Sequence, residues 1–374
     1  MAVYIINIFL IVFEGLWLLY QVPTERNKKK FCILASLQWI LISGLRGLSV
    51  GPDTVTYFNN FERVKTYSWN YVLDFTRTQI IMDSDAKAPG YTFLEKVFQI
   101  FSKDYQIFLL FVAVLFFAWM GYSIYKYSKN PAISFILFSS LFYSFFAITG
   151  TRQTIATAVT VFLGIELIKK RKLVAFIICI LLMSTIHTSA LCFLPFYWIA
   201  RIPVNKKSIS VYWILVVCAY VFRNQFMSVL QLMVGYEGYT QTEGARIGTF
   251  VFLLLLIAAI VTVFNKKIDA KENAERQEDQ YPKETVENNE LSILQMSKNA
   301  LYMACIFTSL LLINQNTMRV VQSYSLFLIF LLPEIPSIFA RRRDVWIFNA
   351  IVLAVLVIHL VSGNPQYVFF WQET

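Results

Sequence analysis

Apolar runs near the length that crosses a bilayer recur along the whole chain, and the loops between them alternate between strongly basic and sparsely basic. As helix, about 20 apolar residues cover roughly 30 Å of hydrocarbon, and backbone groups that lipid cannot satisfy leave only helices or a closed barrel as spanning structures. The runs are continuous rather than alternating, which selects helices. About twelve spans are predicted, at residues 3–20, 31–45, 105–125, 132–148, 154–168, 173–186, 189–200, 210–222, 247–264, 299–313, 320–332 and 345–361. A 57% hydrophobic composition and a mean hydropathy of +0.57 exceed what a soluble domain of 374 residues buries. The chain therefore reads as an all-α, polytopic integral membrane protein whose single membrane domain takes in residues 1–374.

Orientation follows from the basic loops. Arg26 with Lys28, Lys29 and Lys30, Lys126 with Lys129, the run Lys169 to Lys172, Arg201 with Lys206 and Lys207, Lys266 with Lys267, and Arg341 to Arg343 all fall on one side. The positive-inside rule makes that side cytoplasmic and both termini extracytoplasmic. Of the 33 Lys and Arg, 22 lie on the cytoplasmic side and 11 on the other. The net charge of +10 is thus a consequence of topology, and nucleic acid is not implied. The first run lacks a basic leader and a small-residue cleavage site, so it is read as a retained helix.

Two connections are long. Residues 46–104 form an extracytoplasmic loop carrying the RGLSVGPDT sequence, and residues 265–298 form a charged cytoplasmic linker, whose stretch 265–290 holds five bases against eight acids and nothing apolar repeating at helical spacing. The five cysteines all sit in apolar runs without paired spacing, and the two histidines belong to no CxxC or HExxH pattern. Neither a disulfide framework, a metal site nor a cofactor is expected.

Charges on the exterior side carry the functional signal. Arg46 leaves the second span among Gly44, Gly47, Gly51 and Pro52, with Asp53 following. Glycines there permit positive φ and a nest of N–H groups around an anion. Arg152 sits at a helix start after Gly150, where its charge adds to the positive end of the dipole. His187 ends an apolar run within STIHTSAL, Arg319 follows the polar turn INQNTM, and the loop at residues 236–248 supplies Glu237, Glu243 and Arg246. Taken singly, each arginine has a bland alternative, snorkelling to lipid headgroups, and the histidine a structural hydrogen bond. Together, Arg46, Asp53, Arg152, His187, Arg246 and Arg319 on one face point to an exterior cavity. An arginine withdrawn from water at a span centre costs about 2.5–3.5 kcal/mol and less near its end, so an anionic partner is expected. A lipid-linked diphosphate meets both the charge and the membrane setting.

The motifs R-G-x-x-V-G-x-D-T-x-x-Y at 46–57, P-G-Y at 89–91, T-R-Q-x-I-A at 151–156, I-H-x-S-A-L at 186–191 and N-x-x-R at 316–319 occur in an order that resembles the EpsG/Wzy-like family of bacterial polysaccharide polymerases. Pro52 stands where a small hydroxylated residue is expected, and Gly90 where an acidic one is often found. The resemblance implies a GT-C-like helical bundle in the bacterial cytoplasmic membrane, with its active site facing the exterior or periplasm. It implies an inverting glycosyltransferase that joins oligosaccharide repeat units, carried on undecaprenyl diphosphate, into capsule, exopolysaccharide or O-antigen chains. Arg46, Arg152, Arg319 and Arg246 would then hold the diphosphate, Asp53 or His187 would act as base, and Tyr57, Tyr91, Glu237 and Glu243 become sugar-binding candidates. A flippase and a chain-length regulator of the same pathway are the expected partners, alongside the lipid bilayer itself. The rival classes are a transporter of lipid-linked sugar or anionic solute and a ligase using the same donor. Against transport, no inverted pair of halves is evident and few ionisable groups fall at mid-span.

Overall fold

The computed structural model describes residues 2–21, 24–82, 89–234, 248–278, 291–339, 341–362 and 366–373. Among them the structure is helical with no strand, and the one extended pairing is a single bridge between Arg46 and Phe369. The chain divides into two compact units, Met1–Leu194 with Ala354–Thr374, and Pro195–Leu353.

In the first unit the helices are α1 (Ala2–Gln21), α2 (Glu25–Gly44), α3 (Thr54–Thr66), α4 (Trp69–Met82), α5 (Pro89–Phe98), α6 (Tyr105–Tyr127), α7 (Pro131–Phe142), α8 (Thr151–Thr157), α9 (Gly164–Lys169) and α10 (Leu173–Ile186). Their starts follow from local chemistry. Thr24 accepts from the Asn27 N–H at 3.2 Å to cap α2, Asp104 accepts from Gln106 at 2.7 Å to cap α6, and Pro131 opens α7 behind Asn130. The pairing of α2 with α6 is the spine of the unit. Gly121 permits it, because a Cβ there would lie 2.0 Å from Ser36 Oγ. Fully buried Trp39 stacks on Phe117 with ring centroids 5.9 Å apart and donates to Ser139 Oγ at 3.1 Å, which ties α2 to both α6 and α7.

The second unit contains α11 (Phe196–Ile199), α12 (Lys206–Val221), α13 (Arg223–Val234), α14 (Thr249–Glu278), α15 (Ile293–Phe307), α16 (Met318–Ser325) and α17 (Leu328–Leu331); α18 follows over Arg342–Ser362. Its core is built around α15. Asn299 donates to the carbonyls of Ala200 and Ile202 and accepts from Tyr212, whose ring stacks on Tyr302 at 4.9 Å. Lys298, buried on the same helix, pairs with Asp269 at 2.5 Å and Asn265 at 2.8 Å.

Among the described residues, four helices suffice by length and composition to cross a membrane: Ala2–Gln21, Tyr105–Tyr127, Thr249–Glu272 and Gln315–Pro336. A fifth is added if Lys206–Val221 and Arg223–Leu232, bent by 92°, count as one span. Other expected runs fall short for visible reasons. The run at 31–45 lies in α2, whose first turns carry Glu25, Arg26 and Lys28 to Lys30, while the run at 173–186 is only the 14 residues of α10. Those at 132–148 and 154–168 are broken by π-helical turns at Phe138–Phe142, Ser144–Ile148 and Ala158–Leu163. Two connections carry helix as well. The segment 46–104 contains α3, α4 and α5, and residues 265–278 of the charged segment continue α14.

Candidate functional site

The site begins where α2 ends. Arg46 follows the last turn, 4% exposed, and donates from Nη1 to the carbonyl and, at 3.3 Å, to the hydroxyl of Ser43. Its Nε has no hydrogen-bond partner, and among the described residues the guanidinium forms no ion pair. The groups that feel its charge are the phenols of Tyr105, Tyr367, Tyr4 and Tyr91. Burial pulls its pKa down, and no carboxylate offsets that cost. Because a guanidinium keeps its proton at neutral pH, the burial amounts to a demand for an anion.

The segment 366–373 holds this loop in place. Gly47 N–H donates to Val368 O at 2.9 Å, Phe370 N–H donates to Leu45 O at 3.1 Å, and Tyr367 Oη donates to Ile42 O at 2.8 Å. The Glu373 carboxylate then accepts from the N–H groups of Leu48 at 2.6 Å and Ser49 at 2.8 Å, and from the Ser49 hydroxyl. Gly47 leaves room for it, since a Cβ there would meet the carboxylate at 2.4–2.6 Å. Burial raises the Glu373 pKa, but the hydrogen bonds from Ser49 and Leu48 outweigh it and hold the group below the usual carboxylate range.

Gly51 brings the third motif to the first. It has φ +91° and packs on the turn before Arg152, where a Cβ would lie 2.7 Å from the Ile148 carbonyl oxygen. That turn closes through Gly150 at φ +64°, with Thr154 Oγ1 donating to Phe146 O at 2.9 Å. Arg152 emerges from it half-buried, its Cζ 5.6 Å from the Tyr57 ring centroid and 6.0 Å from that of Tyr91. The two rings meet edge to face at 5.7 Å. They rest on an apolar bed of Phe61, Tyr105, Phe108, Ile155 and Ile186. Tyr57 and Tyr91, expected to contact sugar, are thus 9% and 3% exposed and serve as a floor under a cation. Arg152 Nε has no partner, and among the described residues Arg152 makes no ion pair either.

The second motif closes on the fourth at Gly90, where a Cβ would lie 2.1 Å from Thr185 Oγ1, so α5 seats directly on the end of α10. His187 is the half-buried C-cap of α10, its N–H donating to Met183 O at 2.8 Å. Asp53 occupies the N-cap position of α3 but makes no capping hydrogen bond. One unit therefore gathers Arg46, Asp53, Tyr57, Tyr91, Arg152 and His187 through two glycine contacts. Arg319 starts α16 in the second unit, half-buried behind the turn in which Asn314 accepts from Asn316 N–H. Glu237, Glu243 and Arg246 lie outside the described residues.

Two acidic residues were not singled out by sequence. Glu95 is fully buried on α5 and accepts from Asn60 Nδ2 at 2.6 Å. It falls on the apolar stripe made by Tyr91, Leu94 and Phe98, a carboxylate at a core position of a short amphipathic helix, and that was the available signal. Glu373 gave no such signal, because its partners lie more than 300 residues away.

A family model described as the EpsG family matches residues 29–371. No curated protein and no solved structure matches the chain. The matched stretch takes in every motif from Arg46 to Arg319, nearly the whole sequence, and the chain belongs to the EpsG family.

Proposed function

We propose that this protein is a membrane glycosyltransferase that polymerises undecaprenyl-diphosphate-linked oligosaccharide repeat units at the extracytoplasmic face of the bacterial cytoplasmic membrane. Membership of the EpsG family supports a polysaccharide repeat-unit polymerase in general. The observation that carries the reading further is Arg46, 4% exposed and without a counter-ion, in one unit with an equally unpaired Arg152. Two such cations next to an interfacial loop suit a diphosphate.

In the reaction, a hydroxyl of the incoming unit attacks the anomeric carbon of the growing chain. The bond from that carbon to the diphosphate oxygen breaks, undecaprenyl diphosphate leaves with the electron pair, and the hydroxyl proton passes to a base. Arg46 and Arg152 stabilise charge building on the leaving group. Asp53, whose carboxylate is not spent on capping α3, or His187 takes the proton. Direct displacement inverts the anomeric centre. Arg319 and Arg246 as further diphosphate ligands, and Glu237 and Glu243 as sugar contacts, are expectations from the sequence alone. In this reading the positive-inside orientation, with both termini outside, would put α3 to α5 on the exterior face.

The test is chain growth from purified lipid-linked repeat units by the full protein in liposomes, without nucleotide sugar, comparing wild type with Arg46→Ala, Asp53→Asn, Arg152→Ala and His187→Ala. Polymer from wild type and none from the arginine variants supports the reading. Movement of intact lipid-linked units between leaflets without polymer would replace it with transport, and transfer of finished glycan to a different acceptor with ligation.

A further inference from the structure

Glu95 lies one helical turn beyond Tyr91 on α5, fully buried, and its Oε2 accepts from Asn60 Nδ2 at 2.6 Å. Asn60 is itself held by Arg63, whose Nη2 donates to Asn60 Oδ1 at 2.8 Å. Glu95 Oε1, the Tyr91 hydroxyl and Arg152 Nε are all buried without a hydrogen-bond partner. The Tyr91 ring lies beneath the Arg152 guanidinium, and Arg152 and Arg63 are the cations whose charge reaches the carboxyl. Three polar groups on two helices thus converge: the Tyr91 phenol acts on the Glu95 carboxyl as a hydrogen-bonding neighbour without a bond of full geometry, and Arg152 Nε is left unpaired.

We propose that Glu95 is a positioning residue of this site, a buried carboxyl whose proton leaves Arg152 free for the substrate diphosphate. The inference rests on the diphosphate reading above. An ionised Glu95 would draw Arg152 into an internal ion pair and compete with the phosphoryl oxygens. A protonated one has no charge to offer, and its hydroxyl can donate to the neighbouring phenol or to substrate. Burial pushes Glu95 up to about 8, against the lowering effect of Tyr91, Asn60, Arg152 and Arg63, so the neutral form holds at neutral pH. The sign is fixed: diphosphate binding is full below that value and weakens as pH rises through it. The other titratable groups around α5 are Tyr57 and Tyr105, which with Tyr91 form its aromatic floor, His187 at the end of α10, Lys96 of α5 itself, which donates to Val64 O at 3.3 Å, and on α3 Glu62, paired with Lys65 at 2.5 Å. The charged residues of α4, Asp74 and Arg77, are exposed. The ligand works in the opposite direction, because a terminal phosphate gains charge above about pH 6 and would bind cations more tightly as pH rises.

The experiment measures binding of radiolabelled undecaprenyl diphosphate to the full chain in zwitterionic nanodiscs, from about pH 7 to about pH 9. Wild type is expected to lose affinity at least threefold across that range, while Glu95→Gln, neutral and nearly isosteric, binds as wild type does at low pH and stays flat. Identical pH profiles for the two proteins overturn the proposal and leave the diphosphate reading standing. Absence of wild-type binding at every pH removes both. Should Glu95→Gln not fold, Asn60→Leu removes the hydrogen bond that favours the ionised form and must move the break in the wild-type profile to higher pH; an unmoved break also overturns the proposal.

Discussion

Glu373 reaches across 324 residues of sequence to accept from the N–H of Ser49 at 2.8 Å, and so fixes the loop that carries Arg46. The contact is exposed, and its contribution to stability is about 1 kcal/mol or less after solvent screening. Its effect is local. Glu373→Ala is expected to speed amide exchange at Gly47, Leu48 and Ser49 and to lower polymerisation several-fold while leaving exchange in α6 unchanged. Because the folded pKa lies below the ordinary carboxylate value, the contact is intact at neutral pH and is lost as pH falls through that depressed pKa. Loop exchange indifferent to both the substitution and acid would mean that the clasp holds nothing.

Arg46 sets stability against activity. An unpaired buried charge is costly, and replacing it with an apolar side chain of similar length stabilises by about 1–4 kcal/mol where comparable burial has been relieved. Arg46→Met is therefore expected to raise the melting temperature of the ligand-free protein and to lower polymerisation at least about 100-fold, the scale of losing one preorganised charge contact at a reacting centre. A variant that melts earlier and still polymerises would show Arg46 to be structural.

The seat of α5 on α10 is testable as a coupled pair. Gly90→Ala drives a methyl against Thr185 Oγ1, and overpacking of this kind costs about 1–3 kcal/mol. Thr185→Ala removes the nearest atom but leaves the residue's Cβ 2.8 Å and its carbonyl carbon 3.0 Å away, so the double variant should recover part of the loss. Thermal melting of the two single variants and the double variant reads the coupling directly; strictly additive losses would mean that the two residues do not touch.

Much of this was legible in the chain. Apolar runs gave helices, and the glycines within the first motif and just ahead of the third marked the turns that Gly51 and Gly150 make at positive φ. Period alone did not reveal how often those runs are interrupted, because a π turn such as Ala158–Leu163 changes hydrogen bonding without changing hydropathy. Nor did polarity locate the helices of residues 46–104, since α3 and α5 bury aromatic stripes inside a stretch that reads as loop. Tyr57 and Tyr91, expected as sugar contacts, sit on those stripes, and polarity alone did not show their rings beneath Arg152. An aromatic residue in a polar loop reads as surface until the helix carrying it is known to turn inward.

The floor beneath Arg152 gives the last prediction. Tyr57 and Tyr91 present their rings, not their hydroxyls, to the guanidinium, with centroids 5.6 and 6.0 Å away. Tyr57→Phe keeps the ring and is expected to leave polymerisation within about twofold of wild type, whereas Tyr57→Leu keeps the bulk and loses the quadrupole. A desolvated cation–π contact contributes about 2 kcal/mol, so the leucine variant should weaken diphosphate binding roughly ten- to thirtyfold if the ring holds Arg152 in its binding position. Binding of undecaprenyl diphosphate by the three proteins at matched folding decides between ring and hydroxyl. Equal losses for phenylalanine and leucine would assign the role to the hydroxyl, and no loss for either would free Arg152 from its floor.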